Sequence, residues 1–228
     1  MTLWIIKEEV RNFFVFYFTI KGRPSLEINR QIKLFEKQAG KYAKRARKQT
    51  IDHKWRRRLL HSAEGNILEI SVGAGTNFQY YPEDAEITAV DFSPTMIEQA
   101  RGVAAEQNLK VDFIVENVEE LDLPARSFDT VVSTLSMCSY PNPEKVLEKL
   151  GTLCKEDGQI LLLEHGVSTN RLVSSLQHMM DPLVKNRIGC HVNRDMLKLF
   201  DESTLEIKRV ESSLLNSIHL VWARPLYS

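Results

Sequence analysis

Hydrophobic and polar positions divide the chain into alternating strand and helix patterns. From Asn66 onward, short apolar runs predict strands near 67–71, 86–91, 111–115, 128–134, 159–165, 205–212 and 217–224. Helical periodicity predicts helices over 94–107, 143–153 and 171–200, with candidate breaks at Pro182 and Gly189 in the last. Strands that alternate with helices indicate an α/β fold built on a doubly wound, mostly parallel seven-stranded sheet.

The segment before this core has a different pattern. Apolar positions recur at helical spacing in the first twenty residues, and Phe13–Ile20 is almost wholly apolar. The uncharged run is much shorter than the roughly 20 residues that span a bilayer. Glu8 and Glu9 argue against a signal peptide. We therefore expect a helix lying in the membrane plane, with packing on its own domain or on a partner subunit as the alternative.

Charge separates the two parts of the chain. Residues 1–60 hold 16 basic and 5 acidic residues, a net of +11, although the whole chain is neutral. Such asymmetry predicts an anionic partner for residues 1–60. No nucleic-acid-binding signature accompanies the charge, so we expect an anionic membrane surface and no nucleic acid. The basic cluster consists of Lys41, Lys44, Arg45, Arg47, Lys48, Lys54, Arg56, Arg57 and Arg58.

A break at Lys21–Pro24 separates the first helix from one or two further amphipathic helices. We divide the chain into a basic helical extension, residues 1–62, and a core domain, residues 63–228. Three cysteines, an odd number without C-x-x-C spacing, do not indicate a disulfide framework and favour a reducing compartment.

The clearest functional motif follows the first core strand. The run Glu69-Ile-Ser-Val-Gly73-Ala-Gly75-Thr-Asn77 leaves an apolar strand for a glycine loop, and the next strand ends at Asp91. Glycines allow a tight turn and close backbone approach to a ligand, while an acid at the second strand end accepts hydrogen bonds from ribose hydroxyls. This combination predicts a nucleoside-binding βαβ unit.

The residues of this loop restrict the class of ligand further than the fold does. A dinucleotide loop needs a third glycine, which is absent after Gly75. Glu69 would repel a pyrophosphate but could position a cationic methionine group. These residues favour S-adenosylmethionine, which becomes S-adenosylhomocysteine. A nicotinamide-dependent oxidoreductase and a non-catalytic nucleoside-binding adaptor remain the alternatives, beside an ordinary strand–turn–helix corner.

Several motifs together resemble class I S-adenosylmethionine-dependent methyltransferases. Glu69–Gly75 looks like the family's first motif, with Ser71 where most members carry glycine. Asp91–Met96 resembles the segment that binds ribose and adenine, and Val115–Pro124 resembles the G-D-A-x-x-L-P segment. Lys155–Gly158 resembles the K-P-G-G turn. The resemblance implies a Rossmann-like sheet closed by an antiparallel hairpin. It implies a cofactor site of Glu69, Gly73, Gly75, Asn77, Asp91, Phe92, Met96, Asn117, Val118 and Thr134.

Two branches of this family look similar to the chain. One holds bacterial phospholipid N-methyltransferases and their ubiquinone/menaquinone methyltransferase relatives; the other holds membrane-attached thiol methyltransferases of animals. Both share segments like Asn77–Pro82, Leu135–Ser139, Leu163–His165 and Gly189–Arg194. The resemblance implies a lipophilic or membrane-borne acceptor, namely a phospholipid amine, a quinone precursor or a thiol. We expect a cytoplasmic enzyme, peripheral on the membrane surface.

Three residues are candidates for the catalytic step. His165 follows Glu164 at the end of the fifth predicted strand, and His191 lies in the segment that resembles the family's substrate lid. Tyr42 lies in an F-x-x-x-A-x-x-Y element like that of quinone and phospholipid methyltransferases. Cys190 and His191 are adjacent, but no further ligand is evident near them in the sequence, so we expect no metal site.

Overall fold

A computed structural model describes residues 26–227. The predicted membrane helix within the first 24 residues therefore lies outside the described part. Across residues 26–227, no helix is long and apolar enough to cross a membrane. The chain divides into two units at Lys33, and the unit that begins at Leu34 carries the sheet. Residues 34–62, which we assign to the extension on sequence grounds, lie in that larger unit.

The sheet has the predicted seven strands, and most of them are parallel, as predicted. Its strands are β1 Asn66–Ile70, β2 Glu86–Asp91, β3 Val111–Val115, β4 Phe128–Thr134, β5 Cys154–His165, β6 Leu205–Ser213 and β7 Ile218–Pro225. Their spatial order is β3-β2-β1-β4-β5-β7-β6, and β1 to β5 run parallel. Strand β7 is antiparallel to both β5 and β6, which confirms the closing hairpin. The order reverses beside β1, so a ligand crevice is expected beyond the carboxyl ends of β1 and β4.

Six helices precede or connect these strands in the described chain. They are α1 Leu26–Ala46, α2 His53–Leu60, α3 Pro94–Glu106, α4 Pro143–Leu153, α5 Arg171–Ile188 and α6 Met196–Asp201. Local sequence explains several ends. Ser93 caps α3 ahead of Pro94, and Asn170 accepts backbone N–H bonds at the start of α5. Gly189 ends α5 with a left-handed φ of 83°.

The strands bury apolar side chains on both faces because helices cover both. In β5, Ile160 and Leu162 belong to one core cluster, while Leu161 and Leu163 belong to the other. This alternation follows the two-residue period of a strand. Two buried carboxyl groups, Glu69 in β1 and Glu164 in β5, interrupt these apolar rows near the carboxyl ends of their strands.

One predicted strand start and one of the two candidate helix breaks are wrong. Strand β5 begins at Cys154 rather than near 159, because its pairing jumps from Phe128↔Cys154 to Thr130↔Gln159 and leaves Lys155–Gly158 as a bulge. The helix predicted over 171–200 is divided into α5 and α6, which confirms the candidate break at Gly189. The candidate break at Pro182 is wrong, because Pro182 stays inside α5.

Candidate functional site

The glycine loop after β1 opens on one side. Gly73 has a φ of 55°, and apart from Gly73 and its two chain neighbours no heavy atom lies within 4 Å of the position that a Cβ on it would take. Gly75, at φ 78°, packs against the ring of Phe78. Ser71 also adopts a left-handed φ of 49°, which explains why glycine is common at that position, and its hydroxyl bonds to Tyr140. The loop backbone is therefore open at Gly73, whereas Ser71 and Gly75 on either side of it contact other residues of the protein.

Asp91 joins the end of β2 to this loop. Its Oδ2 accepts the Gly73 N–H at 2.9 Å, and its Oδ1 accepts the Ser93 N–H at 2.9 Å. Burial raises the pKa of Asp91 to about 6, against the opposing effect of these two backbone bonds. Each carboxylate oxygen keeps a second lone pair, so both can accept further hydrogen bonds from a ligand.

Glu69 faces protein rather than open space. Its two carboxylate oxygens accept bonds from Asn77 Nδ2 at 2.9 Å and from the Tyr81 hydroxyl at 2.8 Å. The side chain is 2% exposed, and burial raises the pKa of Glu69 to about 7. Direct contact between Glu69 and a methyl donor stays a prediction; within the protein, the carboxyl group holds Asn77 in place.

Arg56 is the site residue that the sequence did not reveal. Its Nη1 donates to Asn77 Oδ1 at 2.6 Å and to Thr134 Oγ1 at 2.9 Å, and its Nε donates to Asp52 at 2.7 Å. Asn77 Nδ2 also reaches Thr134 Oγ1 at 3.0 Å. Burial alone would raise the pKa of Asp52, but Arg56, Thr50 and Arg45 together outweigh burial and hold that pKa well below its usual range. A buried polar network thus links α2, the glycine loop and β4.

This network corrects one assignment of the basic cluster. Arg56 is 5% exposed, so it is not available to a membrane surface. Arg45, Arg47 and Arg58 are more exposed but form ion pairs with Asp52, Glu106 and Glu211. The signal available in the sequence was the four-residue spacing of Asp52 and Arg56, which places both on one face of a helix.

The residues predicted to contact adenine lie around the end of β2 and the loop after β3. Phe92 is partly exposed and packs edge to face against Phe35 at 5.6 Å between ring centroids. Met96 and Val118 are each 2% exposed and pack in the core. The Asn117 side chain accepts the Glu119 N–H at 3.2 Å and caps a short 3₁₀ turn. Adenine contact by these residues stays a prediction.

Tyr42 lies on the α1 side of the same crevice. Its ring centroid is 6.5 Å from that of Phe35, and the residue is partly buried. Burial raises the pKa of Tyr42, and Cys138, Cys190 and Asp91 add smaller upward contributions against Arg45. The structure therefore brings Tyr42 near the ends of β2 and β4, although the sequence places it far from both.

His165 ends β5 beside two cysteines. Its Nε2 is 3.0 Å from Cys190 Sγ, which lies 2.7 Å from Cys138 Sγ. Burial acts to lower the pKa of His165, but Cys138 and Glu164 outweigh it, so the net shift is upward. The sequence expectation of no further ligands near Cys190 is wrong, because the fold brings Cys138 and His165 to it.

His191 follows in the segment Gly189–Arg194. Its Nδ1 lies 2.9 Å from Asp181 Oδ2 on α5, and its backbone N–H donates to Cys138 O at 3.0 Å. Arg194 donates to Met137 O at 2.6 Å and to Tyr140 O at 3.0 Å. These bonds fasten the segment to the loop after β4, and we call Gly189–Arg194 the rim segment.

Glu164 holds the loop after β4 in place through hydrogen bonds. It is fully buried, accepting bonds from Ser133 Oγ at 2.9 Å, Ser136 N at 3.0 Å and Met137 N at 3.1 Å. Burial raises the pKa of Glu164 to about 7. Because its oxygens hold the turn that begins at Leu135, the carboxyl group fixes the path of the chain toward Cys138.

Comparison with known proteins agrees with this geometry. A family model described as a methyltransferase domain matches residues 67–158. "Methyltransferase OMS1, mitochondrial" of Saccharomyces cerevisiae is 30% identical over 75% of this chain, which covers only 40% of the yeast protein. Phosphatidylethanolamine N-methyltransferase of Cereibacter sphaeroides is 25% identical over 74% of this chain and 80% of its own length.

A third relative and a solved structure complete the comparison. Thiol S-methyltransferase TMT1B of Mus musculus is 31% identical over 73% of this chain and 67% of its own length. A crystal structure of a SAM-dependent methyltransferase from Aquifex aeolicus superposes with a TM-score of 0.61 at 14% identity, covering 82% of this chain and 97% of that one. The chain is therefore an enzyme that uses S-adenosylmethionine, and it belongs to the class I S-adenosylmethionine-dependent methyltransferases.

Proposed function

We propose that this enzyme methylates a lipophilic acceptor at a membrane surface. The observation that carries the proposal is an apolar face on α5, which runs into the rim segment. Leu172, Leu176, Met179, Met180 and Leu183 form this face and are 44% to 84% exposed. Their spacing repeats every three or four residues, so they share one side of the helix.

A second element extends the α5 face. Leu214 and Leu215 in the turn between β6 and β7 are 61% and 62% exposed. Ser168 Oγ donates to Leu215 O, and Asn216 bonds to Thr169 Oγ1 at 2.9 Å, so this turn lies beside the start of α5. Contiguous exposed apolar side chains of this kind are typical of membrane or protein contact sites.

The α5 face is linked to the crevice by short contacts. Asp181, on the buried side of α5, holds both His191 and the Val192 N–H, the latter at 2.8 Å. An acceptor leaving the lipid along α5 would therefore reach the rim segment first. Exposed basic residues on α1, α2 and the turn between them would add attraction to anionic lipid: Lys41, Lys44, Lys48, Lys54 and Arg57.

Several residues of the crevice support binding of the methyl donor there. S-Adenosylmethionine supplies an already activated methyl group, so the protein's task is mainly alignment and exclusion of water. We assign the ribose to Asp91, whose oxygens keep free lone pairs, and backbone approach to the open side of Gly73. Phe92 and Asn117 would border the adenine. Tyr42, His165 and His191 stay candidates for contact with the acceptor.

Three acceptor classes deserve comparison. The mouse relative is named for thiols and the Cereibacter relative for phosphatidylethanolamine. Quinone precursors are the third class, because the F-x-x-x-A-x-x-Y element around Tyr42 resembles that of quinone methyltransferases. All three are lipophilic or membrane-borne, which is why the α5 face supports the class without choosing among them.

Vesicle binding and methylation test this proposal together. We expect the full chain to co-sediment with anionic vesicles and to methylate a vesicle-borne acceptor from one of the three classes. Leu176→Glu with Met179→Glu should weaken binding, because charge on the α5 face opposes insertion. Leu226→Glu is the matched control. Leu226 is 61% exposed and follows the last residue of β7, whereas the Leu214–Leu215 turn precedes the first residue of that strand.

Deleting residues 1–23 separates the two predicted membrane contacts. If the deletion leaves vesicle binding unchanged, the contribution predicted for the N-terminal helix is wrong. Unchanged binding by the α5 variant would count against the α5 face. Methylation of water-soluble acceptors alone would overturn the proposal of a membrane-borne acceptor.

A further inference from the structure

Three metal-ligating side chains converge at the rim of the crevice. Cys138 Sγ, His165 Nε2 and Cys190 Sγ all lie within 4.8 Å of one another. Within the described part of the chain, this is the one group of three His, Cys or acidic donors that is close enough to hold a single ion. None of the three is adjacent to another in the sequence, so only the fold brings them together.

Backbone contacts hold each donor in place. Cys138 follows β4 on the turn that Glu164 fixes through the N–H groups of Ser136 and Met137. His165 is the last residue of β5. Cys190 follows the end of α5, and the next residue, His191, donates its N–H to Cys138 O at 3.0 Å. The three donors therefore sit on separate elements that are fastened to one another.

The cluster borders the predicted donor site. A Cβ on Gly189, next to Cys190, would lie 3.5 Å from the Phe35 ring. That ring packs against Phe92, the residue that follows Asp91. The segment that carries Cys190 is thus connected through Phe35 and Phe92 to the carboxyl end of β2.

The three donors are of the kinds that zinc prefers. Two thiolates and an imidazole are ligands that Zn²⁺ prefers, and three protein ligands leave a fourth tetrahedral position for substrate, as in catalytic zinc sites. The sulfurs lie 2.7 Å apart. Two sulfurs bound to one zinc are about 3.8 Å apart at Zn–S distances of ~2.3 Å. Zinc binding therefore requires the Cys138 and Cys190 sulfurs to move apart by about 1 Å. Rotation of the partly exposed Cys190 side chain can supply it.

We propose that Cys138, His165 and Cys190 bind one Zn²⁺ ion, whose fourth position takes the sulfur of a thiol acceptor. This rests on the proposed function and narrows its acceptor to a thiol. Zinc favours the deprotonated form of a coordinated thiol, which is the nucleophilic form near neutral pH.

Atoms and charges balance in the resulting step. The thiol gives its proton to solvent and enters the fourth position as a thiolate. Its sulfur then forms a bond to the methyl carbon while the bond from that carbon to the sulfonium sulfur breaks, and the electron pair of the broken bond stays on the departing sulfur. The thioether product is neutral and a weaker ligand, so it dissociates. Zinc does not change its oxidation state.

Metal content and cobalt spectroscopy test the site without relying on activity. We expect the full chain, purified under reducing conditions, to hold one zinc ion and to show a thiolate-to-cobalt charge-transfer band when Co²⁺ replaces it. Cys138→Ser and Cys190→Ser should abolish the band. Cys154→Ser is the matched control, because Cys154 is also buried and free but lies at the other end of β5. Addition of an alkyl thiol should shift the band.

Other outcomes would overturn the inference in distinguishable ways. Absence of zinc and cobalt binding by the reduced protein, or a Cys138–Cys190 disulfide in its place, would refute the metal site. If a protein without the metal site still binds S-adenosylhomocysteine and methylates a membrane-borne acceptor, the proposed function is kept and only the metal site is refuted. Metal binding combined with methylation of a phospholipid amine, but of no thiol, would refute the assignment of the fourth position.

Discussion

Arg56 Nη1 donates a 2.6 Å hydrogen bond to Asn77 Oδ1, and this contact joins α2 to the glycine loop. Asn77 in turn bonds to Glu69, and Arg56 pairs with Asp52, so four buried polar side chains form one chain of contacts. Buried networks of this kind are costly when one member is removed, because the remaining groups lose partners that water cannot replace.

Arg56→Ala should therefore destabilise the protein. We expect the free energy of unfolding to fall by about 3 kcal/mol, because the buried Asp52 carboxylate would keep only the partly exposed Arg45 as its ion-pair partner. Urea denaturation measures the change. Arg57→Ala, one residue away and exposed, is the control and should alter stability by no more than about 0.5 kcal/mol. Equal costs for the two variants would contradict the structural role of Arg56.

Glu69 should make stability depend on pH. Its pKa in the folded protein is about 7, above the ordinary value of 4.5, so the unfolded chain loses this proton first. The resulting stabilisation is complete below pH 4.5 and is lost as pH rises through 7. Because a pKa unit corresponds to 1.36 kcal/mol and part of the loss occurs below pH 5, wild type should lose about 2–3 kcal/mol relative to Glu69→Gln between pH 5 and 8.

Denaturant unfolding of both proteins at several pH values measures this difference. Glu86→Gln is the control, because Glu86 lies on the neighbouring strand and is exposed. A constant gap between wild type and Glu69→Gln across the pH range would show that Glu69 does not titrate in this window.

Asp91→Asn should weaken binding of S-adenosylhomocysteine. The variant keeps the size of the side chain but removes the charge that we expect to accept the ribose hydroxyls. Loss of a charged hydrogen bond corresponds to about tenfold to hundredfold in affinity, which calorimetric titration would measure. Exposed Asp84→Asn should bind normally. An unchanged affinity in Asp91→Asn would remove Asp91 from the proposed site.

The two loop glycines should respond differently to alanine. At Gly73 the methyl group would point into open space, so we expect a backbone strain of about 1 kcal/mol and a clear loss of S-adenosylhomocysteine binding. At Gly75 the new Cβ would lie 2.7 Å from the Phe78 ring, so stability should fall further, by about 1–3 kcal/mol in addition. Thermal unfolding and calorimetry on both variants separate these effects. Normal binding by Gly73→Ala would place the ligand elsewhere.

The sequence predicted the core strands within a few residues, apart from the start of β5, because each strand carries its own local apolar pattern. It also identified Asp91 and the glycine loop, whose chemistry is contiguous in the chain. It failed where partners are distant. Arg56 looked like one more surface charge, since its contacts with Asn77 and Thr134 join positions 21 and 78 residues apart. Cys190 and Cys138 are 52 residues apart, and no local pattern announces their contact.

The position of Arg56 also fixes where the smallest folding fragment can begin. A fragment cut at residue 63, the start of the core domain predicted from the sequence, would lack the guanidinium group that Asn77 and Thr134 bind. It would also expose the apolar surface that Leu59 and Leu60 cover in the core. Independent expression of the sheet therefore requires a fragment that begins upstream of Asp52. Fragments that begin further along the chain should yield aggregated protein rather than a minimal enzyme.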